Sequence, residues 1–139
     1  MKKERAYLAS SGDKLVNWHF QQIISFLKNK KTHVYILESL RDPNNRQLVL
    51  YGFIDFCSDK TRRIYLNNAK ICHRDRNEMT KTLIHEVIHG LTDVNGVSEI
   101  NVCILENILW ERFTKEQKRM IASHLPKHIV KTQPTAQQK

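Results

Sequence analysis

The sequence predicts an α+β domain: an N-terminal helix, a short three-stranded, mainly antiparallel sheet, a central helix and two C-terminal helices. Two observations predict it. Apolar residues recur at helical spacing in four separate stretches, and the three β-branched and aromatic runs lie together between the first stretch and the second. With 139 residues, 40% of them hydrophobic and 27% charged, the chain has the apolar content for one core, since separate cores each need on the order of 100 residues. One site is the corresponding expectation.

The first helix is read over residues 13–29, where Val16, Phe20, Ile23, Ile24 and Leu27 share a face and Ser11 or Asp13 supplies the N-cap. Strands follow at residues 33–39, 47–57 and 62–67. The turn formers of 42–45 and 58–61 separate them, and such short gaps imply antiparallel neighbours. From Glu78 to about Asp93 the helical period returns through Met79, Leu83, Ile84, Val87, Ile88 and Leu91, then breaks at Asn95-Gly96. Ser98 caps a third helix carrying Val102, Leu105, Leu109 and Phe113. Thr114 with Gln117 forms the capping box of a fourth, which Pro126 closes. The domain is therefore placed at residues 1–126, with 127–139 a flexible basic tail.

The net charge of +9 is unevenly spread. Residues 1–32 carry 7 Lys/Arg against 2 Asp/Glu and residues 114–139 carry 6 against 1, whereas residues 78–113 carry 2 against 6. The acidic segment is where carboxylates have been gathered. The positive ends predict either a solvated surface or weak, salt-sensitive attraction to nucleic acid. No run approaches the roughly 18 apolar residues of a membrane span, and the basic start lacks the apolar stretch of a signal peptide, so a cytoplasmic protein that does not engage membranes is expected. Cys57, Cys72 and Cys103 have no paired spacing and are read as reduced thiols.

The sharpest motif is His85-Glu86-Val87-Ile88-His89. Histidines four apart project from one helix face and can share one zinc ion, while the carboxylate beside the first can reach a water activated there. The apolar flanks make two imidazoles and a carboxylate costly to bury without a common partner. A catalytic zinc needs a third protein ligand. Glu99, ten residues past His89 beyond a chain reversal, is the candidate; its other role would be that of a first-turn carboxylate favoured by the helix dipole. Asp93, one turn after His89, is the alternative, and is also placed to accept an imidazole N–H. Glu106, two turns past Glu99, is read as too far along. Of the other histidines, only His73, beside Cys72, merits a test.

The stretch YGFIDF…RRIYLN…TLIHEVIHGL…SEINVCILENILWERF, from Tyr51 to Phe113, resembles the core of zincin metallopeptidases, above all small ImmA/IrrE-like and phage-encoded gluzincins. The resemblance covers about 60 of the 139 residues, and within it only HExxH and Glu99 are specific. It implies a minimal zincin in which His85, His89 and Glu99 bind one catalytic Zn2+, Glu86 is the general base, and the strand of Ile64, Tyr65, Leu66 and Asn67 lines the cleft and pairs with substrate. The implied activity is hydrolysis of a protein substrate, including a regulatory or DNA-associated one. A thermolysin-like gluzincin has an Asp one turn after its Glu ligand. Here that position is Cys103, so its contact is absent or supplied elsewhere. SprT-type zincins share the basicity but use a third His, which this chain lacks. Tyr51, Tyr65, His33 and Arg63 are the candidate oxyanion donors. The alternative function is a non-catalytic, zinc-containing module that binds nucleic acid or a protein through its basic ends.

Overall fold

A computed structural model of the protein describes residues 10–92 and 97–131. Asp93 and the Asn95-Gly96 break lie outside the described residues, so the two roles considered for Asp93 are not addressed by it. Helix α1 (Lys14–Lys28) starts at Asp13, whose carboxylate accepts the Leu15 and Val16 N–H groups. After β1 (Thr32–Leu37) come a small hairpin, β2 (Arg41–Asp42) and β3 (Asn45–Val49), then β4 (Gly52–Phe56) and β5 (Arg62–Asn67). Helix α2 (Arg76–Thr92) opens where the Asp75 carboxylate accepts the Glu78 N–H at 3.0 Å. Helix α3 (Glu99–Arg112) is capped by Ser98, and α4 (Lys115–Ala122) by the Thr114–Gln117 capping box. A last strand, β6 (Ile129–Val130), ends the described chain.

The class is α+β with four helices among the described residues, but the sheet differs from the expected three-stranded antiparallel one. Its order is β4-β5-β1-β6, with β1 parallel to both β5 and β6 and only β4–β5 antiparallel. Burial explains the order. A central strand must hide both faces, and Ile64, Tyr65, Leu66 and Asn67 of β5 are all fully buried, so β5 inserts beside β1 and leaves β4 at the edge. The run 47–57 is two strands: β3 pairs with β2, and β4 with β5. Asn67 fixes the bend between them, its side-chain amide donating to the carbonyls of Leu50 at 2.8 Å and Leu40 at 3.3 Å. The domain also extends past 126, because Ile129 and Val130 pair with Ile36 and Leu37. Helix α4 stops at Ala122, ahead of Pro126, in a turn that seats Leu125 in the core.

The core lies between the sheet and the helices and joins Phe20, Ile23 and Leu27 of α1 to Leu83, Ile84 and Val87 of α2 and Val102 and Leu109 of α3. Gly90 permits that packing on α2: a Cβ there would collide with the Phe26 ring and lie 3.0 Å from Ile54 Cδ1. Among the described residues no helix is long and apolar enough to cross a membrane.

Candidate metal centre

Helix α2 buries Leu83, Ile84, Val87 and Ile88, which fixes its rotation and sets His85 and Glu86 in the lining of a cleft of about 350 Å³ that the Leu50–Gly52 bend also lines, with His89 one turn further along the helix. Helix α3 packs antiparallel on α2, and Glu99 in its first turn meets both histidines. The His89 Nε2 lies 2.7 Å from Glu99 Oε1, and the His85 Nε2 lies 3.0 Å from Glu99 Oε2. One donor atom from each of His85, His89 and Glu99 falls within 4.8 Å of the others. Two imidazole nitrogens and a carboxylate oxygen on helices are a donor set that suits zinc, and they fit one ion.

The other ring nitrogen of His85 is held by Glu106, which its spacing from Glu99 had placed too far along the helix to take part. Glu106 Oε1 accepts from His85 Nδ1 at 2.7 Å, and Lys81 Nζ braces its second oxygen at 3.1 Å. A carboxylate on Nδ1 fixes the tautomer that leaves the Nε2 lone pair free for a metal. Glu106, one turn after Cys103 on α3, makes this contact. Cys103, between Glu99 and Glu106 on the same face of α3, points its thiol at Glu99 Oε2, 3.6 Å away.

Glu86 is 6% exposed, lines the cleft, and has no hydrogen-bond partner among the described residues. Burial, opposed by His85 and reinforced by the charges of Glu99 and Glu106, pushes its carboxyl up to about 7. For His85 burial works the other way, but the Glu106 hydrogen bond and the surrounding carboxylates outweigh it and raise the imidazole. Burial also tends to raise Glu106, yet its bonds to His85 and Lys81 hold it below the usual range. Burial and the adjacent Glu99 push the Cys103 thiol up.

Other predicted residues fall elsewhere. Strand β5 is flanked on both sides by β4 and β1, so Ile64, Tyr65, Leu66 and Asn67 cannot pair with a substrate; the strand with a free edge beside the cleft is β4. Of the oxyanion candidates, Tyr51 lines the cleft, whereas Tyr65 is buried in a second cluster with Leu37 and Leu40. Arg63 and His33 are not among the cleft-lining residues. The Cys72-His73 pair is structural, with His73 held between the Asn67 carbonyl at 2.7 Å and Thr82 Oγ1 at 2.8 Å. Gly52 carries no signal in the sequence: a Cβ there would lie 2.8 Å from Thr82 Cγ2 and 3.0 Å from Glu86 Oε2, so glycine lets β4 come this close to the Thr82–Glu86 face of α2.

Compared with protein-family models, curated proteins and solved structures, the chain has no significant match.

Proposed function

We propose that the protein is a zinc-dependent peptidase, with His85, His89 and Glu99 holding the ion and Glu86 acting as general base. The observation that supports this best is Glu86 itself, a largely buried side chain that lines an open cleft beside three converging donors. A carboxyl that burial pushes up to about 7 while it faces a cleft is poised to take and give a proton near neutral pH. Zinc bound there would polarise a scissile carbonyl and lower the pKa of a water from about 16 toward about 7.

The chain's own groups then divide the work. Glu86 takes the proton of the attacking water as the new C–O bond forms, and passes it to the amine as the C–N bond breaks. Glu106 holds the His85 ring in place through Nδ1. Tyr51 is the hydroxyl available at the cleft for the developing oxyanion. An extended protein segment is the substrate class, lying along the free edge of β4 beside Gly52, where main-chain pairing places its carbonyl opposite Glu86.

The test is hydrolysis of an unstructured protein by the zinc-loaded chain. Glu86→Gln is expected to keep its zinc and lose rate by about three orders of magnitude or more, because the amide cannot accept the proton. Zinc-loaded protein that cleaves nothing, or Glu86→Gln with unchanged rate, would move the account to the alternative of a non-catalytic zinc module acting through its basic ends.

A further inference from the structure

The sheet has two unlike faces. Val34, Ile36, Ile54, Ile64 and Leu66 pack with residues of all four helices, so α2 and its metal centre lie on that side. The other face carries Tyr35, Tyr65 and Phe53, which cluster with Leu37, Leu40, Leu50 and Val130 and with no helix residue. Neighbours in register on β1, β5 and β4, the three rings form a row: Tyr35 and Tyr65 are 5.6 Å apart at 21°, and Tyr65 and Phe53 are 6.4 Å apart at 14°. Tyr65 is fully buried and the end rings are partly exposed, so Tyr35 and Phe53 each keep one ring face that the row does not use. Two residues along β1 from Tyr35, Leu37 borders a cavity of about 360 Å³ lined also by Arg41 of β2, Arg46 of β3 and Lys131, which follows β6. No carboxylate lines it. Arg41 donates to the Arg46 carbonyl at 3.4 Å, while the side chains of Arg46 and Lys131 have no hydrogen-bond or ion-pair partner among the described residues. Asp42, the acid beside Arg41, accepts instead from the Asn44 N–H at 2.7 Å, and Glu38 is exposed outside the lining. Three cations from three segments repel one another around one cavity, and an anion seated between them relieves that repulsion.

We propose that this helix-free face binds single-stranded nucleic acid, with a backbone phosphate in the Arg41–Arg46–Lys131 cavity and an unpaired base stacked on the open ring face of Tyr35. The cavity alone suits any phosphate. The aromatic row beside it favours a polymer that carries bases, and a base is free to stack only where the strands are not paired. The net charge of +9 draws such a polyanion to the protein. Arg41 and Arg46 come from the middle of the chain, so the site is distinct from the basic ends considered from sequence. Phosphate and ring contacts read no base edges, which makes the binding independent of sequence. The sheet stands between this face and α2, and the inference does not depend on the zinc reading.

The experiment is fluorescence anisotropy of the full chain with a labelled mixed-sequence DNA of about 15 nucleotides, offered as a single strand and as a duplex across a salt series. The single strand is expected to bind more tightly than the duplex, with a log–log salt slope of about −2, since each of three neutralised phosphates contributes about 0.7. Arg41→Glu combined with Arg46→Glu, both exposed on the hairpin, is expected to weaken binding about 10-fold or more, and Lys131→Ala to lower the slope. Lys14→Glu combined with Lys115→Glu makes the same charge change on exposed residues of α1 and α4 and is expected to cost less than about threefold. Tyr35→Leu is expected to weaken binding about fivefold or more at an unchanged slope, and Tyr35→Phe to retain it. No binding at low salt, or equal losses in the two charge-reversal pairs, would overturn the site. A duplex bound as tightly as the single strand, or full affinity in Tyr35→Leu, would overturn the base platform. Displacement of the strand by inorganic phosphate, where sodium chloride of equal ionic strength has no effect, would give the cavity to a free anion and overturn the nucleic-acid assignment.

Discussion

His85 spends one ring nitrogen on Glu99 and the other on Glu106, and both contacts come from α3. Glu106→Gln would keep the shape of that side chain while losing the charge that fixes the imidazole tautomer. Zinc affinity in a chelator competition is expected to fall about 10- to 100-fold, with the fold intact by circular dichroism; unchanged affinity would remove Glu106 from the site. His73 makes a separate prediction. Burial holds its imidazole below the ordinary 6.5, against the Asn67 carbonyl and the Glu78 charge, so the unfolded chain takes up the proton first as pH falls. The stability it contributes is complete above about 6.5 and is lost as pH drops below that value toward the lowered folded one. The urea midpoint of wild type should therefore fall more steeply below pH 6.5 than that of His73→Gln, and parallel profiles would contradict this. The candidate ligands were legible in sequence because HExxH on an apolar helix fixes a face with no tertiary knowledge. Glu106 was not, because its place depends on how α3 runs. Each step toward the start of α2 is a step toward the end of α3, so His89 meets Glu99, His85 meets Glu106, and Lys81 meets Glu106 and Asn107.

The helices were readable largely from their ends. Asp13, Ser98 and the Thr114–Gln117 pair all cap where their side chains indicated, since a cap is a local hydrogen bond that neighbouring residues determine. Strand partners were not readable in the same way. The run 47–57 looks continuous by composition, and what divides it is the distant Asn67 amide bonding the Leu40 and Leu50 carbonyls. Gly52, just after that bend, brings β4 against α2 with Glu86 Oε2 and Thr82 Cγ2 in the space a Cβ would fill. Gly52→Ala is expected to lower stability by about 1–3 kcal/mol in denaturant unfolding, the usual cost of overpacking, and to depress cleavage by displacing Glu86. Unaltered stability and rate would mean that β4 can retreat without consequence.

For the whole molecule, the fold class follows from the order of apolar periods, while the division of the buried residues into a main core and a smaller cluster of Leu37, Leu40 and Tyr65 does not. The parallel β1–β5 pairing and the short β6 strand depend on which strand most needs burial and on where Leu125 anchors the chain end, neither of which spacing reveals. What the fold accomplishes is to set two helices antiparallel so that a sequence motif on one meets carboxylates on the other. The acidic character of residues 78–113 within a basic chain now has a local explanation, because Glu86, Glu99 and Glu106 cluster around the two histidines. The most direct test is metal content, by elemental analysis of purified protein and of the same protein after zinc titration and buffer exchange. About one equivalent of zinc is expected, lost in His85→Ala, His89→Ala and Glu99→Ala and retained in Glu86→Gln. No zinc in the wild type after titration, or full zinc retained in Glu99→Ala, would contradict it.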